Sequence, residues 1–64
     1  MPTINLARAL IICENYRRAP EKIARSRANE AARTILDASP ARVTPDDTAL
    51  AHHVLQMLRN DHRR

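Results

Sequence analysis

The apolar positions of this chain fall into three runs, each closed or opened by a proline. The first, Ile4 to Tyr16 (INLARALIICENY), is the most apolar stretch. Set at about 100° per residue, Leu6, Leu10 and Cys13 share one helical face, with Ala7 and Ile11 beside it. Ala9, Ile12 and Tyr16 fall on a different side, roughly opposite Ile11. Only Arg8 and Asn15 share a clearly polar edge. A helix that is apolar nearly all round must be covered on more than one side. The pattern predicts a helix over about 4–18, with Thr3 as its cap. Ala19-Pro20 ends it, because a residue before proline is pushed out of the helical region.

Pro20 then reads as a first-turn residue of a second helix, about 20–38, with Glu21 at its positive end. Ala24, Ala28, Ala31, Ile35 and Ala38 recur at spacings of four and three, a seam of small residues that lets another helix approach closely. Ile23 and Leu36 flank it. Lys22, Arg25, Asn29 and Arg33 form an outer stripe that is mostly basic, and Glu30 stands three residues from both Arg27 and Arg33, within reach of local ion pairs. Ser39-Pro40 ends this helix, and Ala41-Arg42-Val43 connects to the third. Thr44-Pro45-Asp46-Asp47 is the clearest start signal in the chain: a capping Thr, Pro at the first position and two acids in the first turn. The third helix is predicted over about 44–60. Leu50, Val54 and Met57 form its seam, widened by Ala51, Leu55 and Leu58. Arg59, Arg63 and Arg64 suit the negative end of its dipole.

Composition supports the same class. The 64 residues contain no glycine, phenylalanine or tryptophan and a single tyrosine, whereas alanine occurs eleven times. Strands want β-branched and aromatic residues, and tight hairpins want Gly or Asn. The expected fold is all-α: three short helices in one domain over 1–64, forming a small bundle or an open helical hairpin. A chain this short buries only about 60% of its unfolded surface. The lone Cys13 excludes an internal disulfide and fits a reducing cytoplasm. With no staple and a two-sided first helix, completion by homodimerisation is expected. The first apolar run is too short to cross a bilayer and contains Arg8. It also lacks a signal-peptide pattern, so no membrane association and a cytoplasmic location are expected.

Eleven Lys and Arg against seven Asp and Glu give a net charge of +4. Ten of those cations are arginine, which favours bidentate contacts to carboxylate or phosphate. Five of them (Arg17, Arg18, Lys22, Arg25 and Arg27) crowd around the first proline break with a single acid, Glu21. Such a cluster suits docking on an acidic protein surface or a phosphate backbone. The segment PEKIARSRANEAARTIL resembles a helix-turn-helix, but it is about two residues short of the usual spacing and has no strong breaker in its middle. With Tyr16 as the only aromatic, single-stranded nucleic acid is a poor partner. His52, His53, Asp61 and His62 offer no pair at the i, i+4 spacing of zinc-binding helices, so no metal is expected. There is no Gly-rich phosphate loop and no nucleophile elbow. Asp46 and Asp47 are accounted for by a helix start, and Cys13 reads as a small buried hydrophobe. No catalysis and no cofactor are expected.

These observations converge on binding. The expected function is that of a small helical protein–protein interaction module, an adaptor or inhibitor that occludes a site on a larger protein with an acidic surface. In size and style the chain resembles the accessory proteins of phages and mobile elements, with no shared motif. The expected partner-binding residues are Arg17, Arg18, Lys22, Arg25 and Arg33. The expected core and dimer residues are Leu6, Leu10, Ile11, Ile12, Tyr16, Leu50, Val54 and Met57. One alternative is a DNA-binding transcriptional regulator using the basic face of helix 20–38, although any nucleic-acid binding is expected to be weak and not sequence-specific. A second is a non-catalytic subunit of a larger complex.

Overall fold

A computed structural model describes residues 4–62. Among them are three α-helices: α1 (Leu6–Arg18), α2 (Arg25–Asp37) and α3 (Pro45–His62), with a short 3-10 turn over Pro20–Lys22. The Arg25–Asp61 contact joins the start of α2 to the end of α3, and Ile4, Asn5 and Leu6 line a cleft with Thr34, Asp37 and Ala38 at the other end of α2. The helices therefore run up, down and up, with α2 packed against both neighbours. The radius of gyration is 11.0 Å, close to the roughly 10.7 Å expected of a compact chain this long.

Each helix contributes a narrow buried stripe. On α1 it is Ala9, Ile12, Cys13 and Tyr16; on α2 it is Ala28, Ala31, Ala32 and Ile35; on α3 it is Ala51 and Val54. The first two stripes share the i, i+3, i+4, i+7 spacing that puts side chains on one helical face. Ile4, Leu6, Leu10, Ile23, Leu36, Val43, Leu50, Leu55, Met57 and Leu58 pack half-buried around this core. Half of the ten buried core residues are alanines, so the helices meet through short side chains.

The first helix differs from expectation in two ways. It starts at Leu6, and its cap is Asn5, whose side-chain oxygen accepts the Arg8 backbone N–H at 2.8 Å. An Asn carbonyl in this position satisfies one of the orphan N–H groups of the first turn. The Thr3 cap lies outside the described residues, as do Arg63 and Arg64. The expected two-sided apolar surface is also largely used up within one chain. Ala9, Ile12 and Tyr16 lie on the same buried stripe as Cys13, with Leu6 and Leu10 on its flank. Among the described residues, Ile11 alone of the large apolar side chains stays exposed, at 59%.

The second helix is shorter than the predicted 20–38. Pro20–Lys22 forms a 3-10 turn, Ile23 and Ala24 are extended, and α2 begins only at Arg25. The reason is geometric. At about 100° per residue, a helix continued back from Arg25 would carry Ile23 about 130° away from the centre of the Ala28–Ile35 stripe. Breaking the helix lets Ile23 turn inward, where it is half-buried. Ala24 becomes an exposed cap residue, and Ala38 caps the other end, so the buried seam is Ala28, Ala31, Ala32 and Ile35.

The connections behave as the prolines require. Ala19 donates its N–H to the Asn15 carbonyl at 2.8 Å and closes α1 before Pro20. Ser39 to Arg42 makes a turn around Pro40, with the Arg42 N–H on the Ser39 carbonyl at 2.8 Å. At the start of α3, the Thr44 hydroxyl accepts the Asp47 N–H and the Asp47 carboxylate accepts the Thr44 N–H, both at 3.1 Å. This reciprocal capping box satisfies two donors at once. No described residue has a positive φ, as expected of a chain that does without glycine.

Two outcomes follow from this core. Ala31→Leu inserts a bulky group where α2 meets its neighbours and should cost about 1–3 kcal/mol in urea or thermal unfolding. Ile11→Ala, on the open side of α1, should change stability by under about 0.5 kcal/mol. Cys13 is fully buried, and burial pushes its thiol up from 9.0 to about 11. Its folded pKa exceeds its unfolded pKa, so its contribution is complete below pH 9 and is lost as pH rises towards 11. Tyr16 is shifted in the same direction from 10.0. The melting midpoint of the native chain should therefore begin to fall above pH 9, and that of Cys13→Ala should hold about one unit further before Tyr16 titrates.

Candidate functional site

The bend between α1 and α2 gathers cations because two helix ends and a turn meet there. Arg17 and Arg18 close α1, Lys22 lies on the 3-10 turn, and Arg25 opens α2. They are not a uniform free patch. Arg17 reaches back to Glu14 at 2.7 Å, and Arg25 donates to Asp61 of α3 at 2.9 Å. Both pairs are about half exposed, so each is worth at most about 1 kcal/mol and is weakened by salt. Arg18, Lys22, Arg27 and Arg33 take part in no ion pair among the described residues. Arg33 stands apart from this group, about 12 Å further along α2 from Arg25. The local pairs expected of Glu30 with Arg27 and Arg33 do not form. On an exposed face such pairs give only a few tenths of a kcal/mol, too little to order the long side chains.

Beneath the bend lies a cleft of about 540 Å³, lined by Tyr16, Pro20, Glu21, Ile23, Arg25, Met57 and Asp61. Burial raises the Tyr16 phenol above its usual range; the Asp61 carboxylate adds to that shift and the Arg25 guanidinium opposes it. With Glu21 and Asp61 against Arg25, this cleft carries mixed charge.

The second concavity is a groove of about 630 Å³ between α2 and α3, lined by Arg25, Ser26, Asn29, His52, Leu55, Gln56, Leu58 and Arg59. The half-buried Leu55 and Leu58 belong to the apolar set packed on the core and are exposed to the groove along one edge. Arg25 and Arg59 stand at the same end on facing helices, and Asn29, Gln56 and His52 continue towards the other end. No carboxylate lines it. From His52 to Arg59 the groove follows α3 for about 10 Å, close to two helical turns.

Of the expected partner-binding residues, Arg25 alone lines the α2–α3 groove, while Arg17, Arg18 and Lys22 sit at the neighbouring bend. Of the expected core and dimer residues, Ile12, Tyr16 and Val54 are buried, and Leu6, Leu10, Leu50 and Met57 pack half-buried around them. Arg59, Asn29 and Gln56 were not expected at a site. Their signal in the sequence is the spacing Arg25–Asn29 on one helix and Leu55–Arg59 on the other, edges that meet only once the antiparallel register is known.

The basic face proposed for helix 20–38 is interrupted in a comparable way. Along α2, Arg25, Arg27 and Arg33 alternate with Glu30 and Asp37, all exposed. Seven residues (38–44) separate α2 from α3 and six (19–24) separate α1 from α2. Both exceed the tight turn of three or four residues typical of a helix-turn-helix. His52 and His53 are both exposed, and no group of three metal-ligating side chains occurs among the described residues. No helix of the described residues is long and apolar enough to cross a membrane. Compared with known proteins, the chain matches no family model, no curated protein and no solved structure.

Proposed function

We propose that this chain is a small helical protein-interaction module, a non-catalytic adaptor or inhibitor that occludes a site on a larger partner with an acidic surface. The observation that carries the reading is the position of positive charge beside open apolar surface. Arg25 and Arg59 flank a groove floored by Leu55 and Leu58, and Arg18 and Lys22 extend the basic surface around the adjacent bend. Interfaces of this kind draw affinity from apolar anchors and arginines at their centre, while surrounding charge speeds encounter. The one thiol is buried and held protonated, which suits a structural part for Cys13. The lone cysteine also fits a cytoplasmic setting, and the brevity and style resemble accessory proteins of phages and mobile elements.

Homodimerisation is a second reading, favoured by the exposed Ile11 on α1. One isoleucine is a small anchor against the roughly 800 Å² per partner of an ordinary stable interface, and Arg8 and Arg18 on the same side would repel a second copy. A foreign acidic partner is therefore the primary reading.

The full chain and an Arg18→Glu/Lys22→Glu variant, used as baits in extract of the native host, provide the test. These two cations are chosen because neither is in a described ion pair, whereas Arg25→Glu would set a carboxylate against Asp61. The native bait is expected to retain a defined protein in stoichiometric amount. The reversed bait should lose it while unfolding within about 1 kcal/mol of the native chain, the reach of the lost charge–dipole contact at the end of α1. Equal capture by both baits contradicts the reading. So does a nanomolar, salt-tolerant, sequence-selective complex with duplex DNA, because binding to phosphates alone fades steeply with salt.

A further inference from the structure

We infer that the α2–α3 groove is a docking site for an acidic amphipathic helix of a partner protein, which would lie along the groove as a fourth helix. The inference rests on the protein-interaction reading above and names the occupant of one of its surfaces.

Shape suggests the form of the ligand. The groove lies between two antiparallel helices, is about two turns long, and has the half-buried Leu55 and Leu58 as its apolar floor. A helix laid along it would bring apolar side chains to that floor at i, i+3 or i+4, and i+7, the spacing by which amphipathic helices fill such grooves. An extended strand has no sheet edge to join here, since the described residues contain no strand.

Charge selects the sign. The lining contains two arginines and no carboxylate, and both arginines stand at one end on opposite walls. Two guanidiniums at the same end of the groove suit a carboxylate from the occupant, which would accept from one or the other. Arg25 already donates to Asp61, but that pair is about half exposed and leaves other N–H donors of the same guanidinium unused. Asn29, Gln56 and Ser26 supply neutral hydrogen-bonding groups along the rest of the rim.

The same charges disfavour a second copy of this chain. Two such grooves face to face would oppose Arg25 and Arg59 with their own equivalents. The outer face of α1 offers Ile11 but carries Arg8 and Arg18, and its Glu14 is already held by Arg17. The outer face of α3 has Asp46 but no exposed large apolar side chain. The cleft at the bend sets Ile23 and Met57 beside Glu21 and Asp61, but it is itself a concavity and presents no projecting helix to lay in the groove, so the complement is assigned to another protein. A nucleic-acid backbone matches the arginines but has nothing to place on Leu55 and Leu58.

A display library of helix-length random peptides, selected against the intact protein, tests the inference without assuming a ligand sequence. Enriched peptides are expected to carry apolar residues at the i, i+3 or i+4, i+7 spacing with Asp or Glu beside them. They should gain helicity on binding and move the methyl signals of Leu55 and Leu58. Arg59→Glu, on an exposed side chain, should weaken them at least about tenfold, equivalent to about 1.4 kcal/mol, with only a small drop in the melt from the lost charge–dipole contact. Arg42→Glu, on the exposed turn before α3 and outside the groove, should leave affinity unchanged. The inference is overturned if no peptide is enriched, if the enriched set shows no acidic bias, or if binding ignores Arg59→Glu. It is also overturned if Leu55 and Leu58 respond to protein concentration alone, which would make the occupant a second copy. Acidic peptides that map to Arg18 and Lys22 would overturn the groove and leave the interaction module standing. A salt-tolerant DNA complex would overturn both.

Discussion

Close approach between α2 and its two neighbours, made through Ala28, Ala31 and Ala32, is the contact on which the rest of the structure depends. Side chains of one carbon let α1 and α3 both lie against a helix of only 13 residues. They also leave little apolar area to bury. Ile35, Val54 and Cys13 are the largest side chains that are fully enclosed. The gain from burial scales with apolar area, at about 25 cal/mol per Å², so an alanine-rich core gives a modest return for the entropy of ordering the chain. What such a core does is let the helices approach closely, because a methyl group takes little space between them and loses no rotamer freedom. The polar devices at its edges serve that geometry. Asn5 and the Thr44–Asp47 capping box set where α1 and α3 begin, and Arg25–Asp61 marks the register between α2 and α3 across 36 residues.

The groove is a by-product of the same economy. The apolar arc of α3 runs from Met57 and Leu50 through Val54 to Leu58 and Leu55, wider than the buried stripe of α2 can cover. On one flank Tyr16 and Ile23 meet Met57 around the cleft at the bend. On the other the described residues leave Leu55 and Leu58 half-exposed, and the residues at the edge are Arg25, Asn29, Gln56 and Arg59. A core built from larger side chains would push α3 outward or cover those leucines. The surface proposed for binding is therefore a consequence of how thin the core is.

Much of the fold is legible in the sequence, for local reasons. Prolines at 20, 40 and 45 with a 3.6-residue apolar period mark three helices, and Thr44-Pro45-Asp46-Asp47 marks a start to the residue. Two features are not legible. The break at Ile23–Ala24 runs against local preference, since Pro20 and Glu21 are good first-turn residues; only the burial of Ile23 against other elements decides it. The two-sided character of the first helix is misleading for a related reason. Periodicity shows which side chains are apolar, whereas coverage depends on how many neighbours the helix has, and two neighbours cover all but Ile11 among its large apolar side chains. The candidate site is less legible still. Arg25 stands out through the charge cluster at the bend, but Arg59 looks like an ordinary cation at a helix C-terminus until α2 and α3 are laid side by side.

Native-state hydrogen exchange, read residue by residue, tests most directly whether α2 holds the other helices in place. Amides in the element that every other helix needs should open only with global unfolding. The slowest exchange is therefore expected from Ala31 to Leu36 of α2. The buried stretches of α1 around Cys13 and Tyr16 and of α3 around Val54 should open no more slowly than α2 does. If α2 exchanges through local opening while α1 and α3 stay protected, those two helices hold each other, and the central place given to the alanine contact is wrong.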